Sequence, residues 1–332
     1  MSGRRLGALR WQPSWSARCA LLGLVAWLAW AGCTPPRSAQ PRASAPRPPS
    51  AFLPADLDLA LRMDLDQLAA QLGADVVRRL VLEAIDGPDD ADPGRPLLER
   101  TLARSDRLWL GVRARGAERV PELMLLTHGQ FASVLPDPKT GDAIWSASEE
   151  GPAPHFERQI TAPGALTRLY PLGDGLLAWA SAGEIPGLER RIAGSTGGGV
   201  RPPERGAISL AASAERLRER FSERFPELSQ RFAGAELLSG YVERADAGLR
   251  AEVTLQLGSP AQASEAAELV TTLLAQLARR GCLAGTLARS AQVSVFQSSV
   301  RAHAQLEAEQ VSGLGACILD GACCAGTSDG QE

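Results

Sequence analysis

The sequence predicts an α+β protein made of two similar lobes, each an antiparallel sheet covered by helices, after a disordered N-terminal tether. Three observations lead there. Short runs alternate apolar and polar residues with period two, as half-buried strands require. Stretches with apolar residues at helical spacing separate those runs. The same succession of strand, helix and two further strands then occurs twice along the 332 residues.

The chain opens on an export leader. Arg4, Arg5, Arg10 and Arg18 precede the uncharged run Ala20 to Trp30, and the small residues Ala31 and Gly32 follow it. That run is about half of the roughly 20 apolar residues a membrane-spanning helix needs. Ala31-Gly32-Cys33 resembles the end of the bacterial lipobox. The resemblance implies a signal peptide over residues 1–32, cleavage between Gly32 and Cys33, and lipid attachment through the Cys33 thiol. Thr34 rather than Asp follows the cysteine. In that family this implies an outer-membrane lipoprotein, here expected to face the periplasm.

Residues 33–51 read as the tether. Pro35, Pro36, Pro41, Pro46, Pro48 and Pro49 favour extended, partly polyproline-II chain, and little there can build a core. Arg37, Arg42 and Arg47 make it basic, and each arginine resting on anionic lipid is worth up to about 1 kcal/mol.

The first lobe is expected over residues 52–193. Leu57, Leu59, Leu61, Met63 and Leu65 alternate with Asp56, Asp58, Arg62 and Asp64, which makes a strand. A helix follows over Asp66 to Ile85, then the strands "RLWLGVRAR" and "ELMLLTHG". A Pro/Gly-rich loop around Trp145 leads to strand, Gly-Asp-Gly turn, strand and helix over Pro163 to Ile192. Residues 194–206, with three successive glycines, read as a flexible join.

The second lobe, 207–319, repeats the order. "GAISLAAS" is a strand, and the stripe Leu217, Phe221, Phe225, Leu228 and Phe232 marks a helical segment with a break at Pro226. The strands "LLSGYVERA" and "GLRAEVTLQLG" come next. The following helix has Ser259 at N-cap and Pro260 at its first position. Two more strands end in a short helix around Val311, Leu314 and Ile318. The two lobes are free either to keep separate sheets or to pair into one.

Function is less legible. The chain has 35 basic and 38 acidic residues, and seven of the arginines named above leave with the leader or sit in the tether. The folded part is therefore clearly acidic, which argues against nucleic acid as a partner. Its three histidines, His128, His155 and His303, stand beside no local nucleophile, and no nucleophile elbow, zincin pair or phosphate loop occurs. The acidic run Asp86 to Gly94 departs from the order of a calcium loop and reads as a solvated turn. No catalytic residue, metal or cofactor is assigned.

Cys282, Cys317, Cys323 and Cys324 remain once Cys19 and Cys33 are spent on the leader and the lipid, with three of them in the region that runs into the tail 320–332. Disulfides, free buried thiols and a zinc site are the alternatives. An oxidising compartment favours disulfides, with about three connectivities open. The expected activity is non-catalytic: binding an envelope protein or organising the envelope from a lipid-anchored position. A carrier or sensor of an apolar ligand is the alternative, and a hydrolase without a recognisable motif comes third.

Overall fold

A computed structural model describes residues 47–86, 92–114, 120–137, 139, 141–159, 164–195, 198–221, 230, 232, 234–245, 248–279 and 283–307. Its strands are β1 (Leu59–Asp64), β2 (Ser105–Arg113), β3 (Glu122–Gly129), β4 (Ser146–Ser148), β5 (His155–Glu157), β6 (Leu166–Gly173), β7 (Leu176–Ser181), β8 (Ile208–Ser213), β9 (Ala235–Ala245), β10 (Gly248–Leu257), β11 (Gln292–Phe296) and β12 (Ser299–Glu307). The α-helices are α1 (Leu65–Leu72), α2 (Ala74–Asp86), α3 (Arg95–Leu102), α4 (Ile185–Ile192), α5 (Ala214–Phe221), α6 (Pro260–Ala278) and α7 (Leu283–Ser290).

All twelve strands join one antiparallel sheet in the order β11-β12-β10-β9-β8-β1-β2-β3-β7-β6-β5-β4. The expectation of a sheet for each half is corrected here: the halves share one. β1 and β8 pair along their length, with Leu61 opposite Leu210. Pairing them removes two bare edges, each a row of unsatisfied backbone groups.

The seam has local two-fold character. β1 and β8 are six residues each and run without a loop into eight-residue helices, α1 and α5. Asp64 N–H donates to Ala207 O at 2.7 Å, and Ser213 N–H donates to Asp58 O at 3.0 Å. Asp58 N–H then reaches Val112 O, as Ala207 N–H reaches Val242 O. Both helices are capped by the last strand residue: Asp64 Oδ1 accepts from Gln67 N and Ser213 Oγ from Arg216 N, satisfying donors that a helix start leaves orphaned. Outward from the seam the order is β1-β2-β3-β7-β6 on one side and β8-β9-β10-β12-β11 on the other.

One face of the sheet carries the main core. Leu68, Val77, Val81, Leu82, Leu97, Leu98 and Leu102 from α1 to α3 pack on Leu61, Leu108, Leu110, Leu125 and Trp179, each buried aliphatic side chain worth about 1.5–3 kcal/mol. In the second half α6 and α7 cover the same face, with Ala263, Ala266, Val270, Leu274 and Ala288 on Leu257 and Val300. Ser259 caps α6 as expected, its hydroxyl accepting from Gln262 N.

Among the described residues the opposite face carries a second apolar layer in the first half and at the seam, while in the second half Tyr241, Glu252, Thr254 and Ser299 on that face are buried without one. Leu53, Leu57, Leu188 and Val200 lie on Ala60, Trp109, Met124, Leu126, Tyr170 and Ala211. The covering pieces include segments expected to be loose. Arg47 to Ala51, read as tether, pack here: Ser50 is buried and donates to Glu204 Oε1, and Arg47 Nη1 donates to Arg191 O. The described part of the join does the same. A side chain at Gly199 would meet the Ala55 backbone at 2.5 Å, so the bare glycine lets the two segments lie together.

Other boundaries shift for local reasons. The single helix expected over Asp66 to Ile85 is two, because Gly73 caps α1 at φ 90, a backbone conformation costly for other residues. α3 forms behind the acidic run, its Leu97, Leu98 and Leu102 buried. The loop around Trp145 and His155 contains the short strands β4 and β5.

Candidate functional site

The two halves treat charge differently. In the first half, buried charges are paired and pin the covering layer to the sheet. Glu184, fully buried, receives Arg113 through both Nε and Nη2, and Arg113 Nη1 reaches Asp56 Oδ2 at 2.6 Å. These hydrogen bonds, Asp56's before Glu184's, hold the guanidinium above its ordinary pKa, and the same bond from Arg113 pulls Asp56 down to about 2. Tyr170 donates to Glu189 Oε1 at 2.8 Å, and Arg168 Nη1 reaches the same oxygen. Burial first, with Glu189 adding to it, pushes the Tyr170 phenol up to about 12.

A second cluster sits beneath β4 and β5. Trp145 and Trp179 meet edge to face at 5.5 Å, and the Arg158 guanidinium lies 5.0 Å above the Trp145 ring. Arg158 forks onto both oxygens of Asp92. Asp92, expected in a solvated acidic turn, is thus a half-buried ion-pair partner; residues 87–91 of that run lie outside the described residues. His155 is buried and stacks on Tyr170, its Nδ1 3.2 Å from Ala153 O.

The second half leaves its polar face without a covering layer among the described residues. Cross-strand register arranges β9, β10 and β12 there as rows: Glu243–Arg250–Gln305, Tyr241–Glu252–His303, Ser239–Thr254–Arg301 and Leu237–Gln256–Ser299. Alternation puts these side chains opposite the helix-covered face. Arg205 arches 3.8 Å over the Tyr241 ring and binds both oxygens of Glu243 at 3.1 Å. Arg250 pairs with Glu252. The Tyr241 hydroxyl lies beside Glu252 without hydrogen-bond geometry, and burial, then that carboxylate, raises its pKa. Thr254 Oγ1 and Arg301 Nε are buried without a hydrogen-bond partner among the described residues, and the Arg301 guanidinium stacks 4.6 Å from the Phe296 ring.

This lattice presents Arg250 and Gln305 exposed and Glu243, Arg301 and His303 half-buried around a buried centre of Tyr241, Glu252 and Thr254, with Leu237 39% and Phe296 51% exposed on the same face. It suits recognition of a polar surface. The histidines do not build a nucleophile system: His128 Nδ1 meets Asp106 Oδ1 at 2.8 Å at the open end of the β2–β3 hairpin, His155 is enclosed, and His303 lies across from Glu252. Among the described residues no group of three or more His, Cys, Asp or Glu is placed to hold a metal ion. None of their helices is long and apolar enough to cross a membrane.

The residues singled out in the sequence, Gly32, Cys33, Cys282, Cys317, Cys323 and Cys324, lie outside the described residues, as does the C-terminal segment expected to form a short helix. The open lattice was missed by sequence reading. Its one legible trace is the polar alternation Arg250, Glu252, Thr254 and Gln256 along β10, which shows a non-apolar face but not what lies across from it.

No protein-family model matches the chain. No curated protein matches its sequence. Among solved structures, crystal form I of TP0453 is similar at a TM-score of 0.46 and 12% identity, covering 82% of this chain and 97% of that one. Crystal form III of TP0453 follows at 0.45 and 11%, covering 82% and 100%.

Proposed function

We propose that the protein is a lipid-anchored, non-catalytic binding module of the bacterial outer membrane, built from two similar α+β halves. Cys33, freed by cleavage after Gly32, carries the lipid, and the Pro/Arg-rich segment up to about Pro46 spaces the folded part from the membrane. Two or more acyl chains make such an anchor effectively permanent, at about 0.8 kcal/mol per buried CH₂. The partner is an envelope protein, and its contact is the open lattice of the second half.

The observation that carries this reading is the asymmetry of cover. The sheet face that is sealed by Leu53, Leu57, Leu188 and Val200 in the first half continues in the second as buried Tyr241, Glu252 and Thr254 and half-buried Arg301 and His303, ringed by exposed Arg250, Gln305, Leu237 and Phe296. A protein partner satisfies such a surface: arginine and aromatic side chains are the residue types enriched at binding hot spots. Photo-crosslinking in the native envelope tests it. A crosslinker at Gln305 should capture a discrete species that one at Glu265, exposed on α6, does not. Equal capture from both positions would count against the reading.

A carrier of an apolar ligand is the second reading. Trp145 Nε1, Trp179 Nε1 and Thr127 Oγ1 are buried without partners among the described residues on the main-core face, and a largely apolar ligand with an acceptor, such as a lipid ester oxygen, would satisfy one of these donors. Extraction of lipid from the purified protein would favour it.

A further inference from the structure

We propose that the free edge of β11 pairs with β11 of a second copy of this chain, joining two sheets about a two-fold axis. The inference shares Phe296 with the surface described above but needs no envelope partner, and it starts from the common strand order of the two halves.

Counted outward from the seam, β11 holds the place in the second half that β6 holds in the first. β6 is not an edge. The connection between β3 and β6 supplies β5, which pairs Phe156 with Leu169 and Glu157 with Arg168, and β4 beyond it. The corresponding connection between β10 and β11 forms α6 and α7 instead. Among the described residues the place beside β11 is therefore empty.

β11 has none of the devices that keep strand edges apart. Such edges are usually short, bulged, or marked by Lys or Pro, and the opposite end of this sheet follows that pattern with the three-residue β4. β11 reads Gln292, Val293, Ser294, Val295, Phe296, without charge, proline or glycine, and it pairs with β12 without a register shift. Val295 is 43% and Phe296 51% exposed, the two highest values among the large exposed apolar side chains.

The register of a self-pair follows from the hairpin. A two-residue turn, Gln297–Ser298 with Gln297 at φ 53, joins β11 to β12 and closes on Phe296 and Ser299. In such a hairpin the closing residues hydrogen-bond to each other, so alternation directs the N–H and C=O groups of Val293 and Val295 outward. An antiparallel pair centred on Ser294 then sets Val293 against Val295 of the other copy on the helix side. On the open side it sets Gln292 against Phe296. The contact is self-complementary, as a two-fold interface must be. An uncharged strand has nothing to select a charged peptide, while its own copy matches valine to valine. The β1–β8 seam makes the same kind of contact within one chain.

Light scattering of the full mature chain, residues 33–332 with Cys33→Ser to remove the lipid, decides the matter. The expected mass is that of two copies. Val295→Lys and Phe296→Lys should each weaken association at least tenfold and give the mass of one copy, with an unchanged circular dichroism spectrum and a cooperative thermal transition. A single-copy mass for the parent chain up to about 100 μM would overturn the proposal, whether or not removal of residues 308–332 then releases dimers. A dimer that both lysine variants leave intact would overturn it equally.

Discussion

The first half of the sheet is enclosed on both faces, while the second is covered on one face among the described residues. The strand order outward from the seam is common to both, so the difference lies in what the connections and the N-terminal segment do. In the first half, Arg47 to Asp58, α4 and the join with Val200 seal the face opposite the main core. In the second, the long connection is spent on α6 and α7, which thicken the already covered face. Among the described residues, one strand order therefore carries an apolar second layer on one half and, on the other, a polar face whose centre, Tyr241, Glu252 and Thr254, is buried while Arg250, Gln305 and Leu237 at its margins are exposed.

Substitutions can break that contrast. The largest effect is expected in the sealed half: Trp179→Ala, which empties a site 1% exposed, should cost about 3–5 kcal/mol in urea unfolding. Phe296→Ala, 51% exposed in the open half, should stay within about 0.5 kcal/mol. Arg113→Met comes next, because it strands the fully buried Glu184, and removing one partner of a buried pair costs about 3–5 kcal/mol. The matching change in the second half, Arg250→Met, takes the guanidinium from Glu252, whose side chain is 9% exposed, and should cost about 1–3 kcal/mol, less than the loss at fully buried Glu184 because Arg250 itself is half exposed. Equal losses from these two arginines would erase the distinction between the halves.

The twin caps at the seam sharpen it. Asp64→Ala and Ser213→Ala should each cost about 1 kcal/mol. Asp64 should cost the more, because it also lies 3.7 Å from Arg62 and 3.9 Å from Arg107. The smallest effect is one of pH. Asp56 sits at about 2 through its bond with Arg113, so its contribution is present above the ordinary carboxylate pKa, near 4, and fades as pH falls toward 2. Its carboxylate is half exposed, so solvent screening keeps that contribution below about 1 kcal/mol. Asp56→Asn should flatten the acid limb of a stability–pH curve by that small amount.

Much of this architecture was legible in the sequence, because strands announce themselves locally. The strand core Leu59, Leu61 and Met63, the alternation of Leu249 to Leu257, the Gly-Asp-Gly turn and the Ser259 cap each depend on neighbours a few positions away and appear as read, whereas Leu57 packs on the opposite face and Leu65 opens α1. The short strands β4 and β5 were not legible, since three-residue strands have too few positions to show a period. α3 was masked by the acidic run ahead of it. The cover was missed for a physical reason as well: Arg47 to Ala51 have tether composition and are fixed by tertiary contacts such as Ser50 to Glu204, 154 residues apart. The open lattice depends on register across β9, β10 and β12, which no single strand displays.

The three histidines offer the most direct test of the central claim, that the second half presents a partner surface. His155 is enclosed, His128 is accessible in the first half, and His303 lies on the open lattice. Diethylpyrocarbonate labelling, read by mass spectrometry, should modify His128 and His303 but not His155 in the purified protein. In intact native envelopes His303 should become protected while His128 keeps its reactivity. Equal labelling of His303 in both preparations would contradict the account.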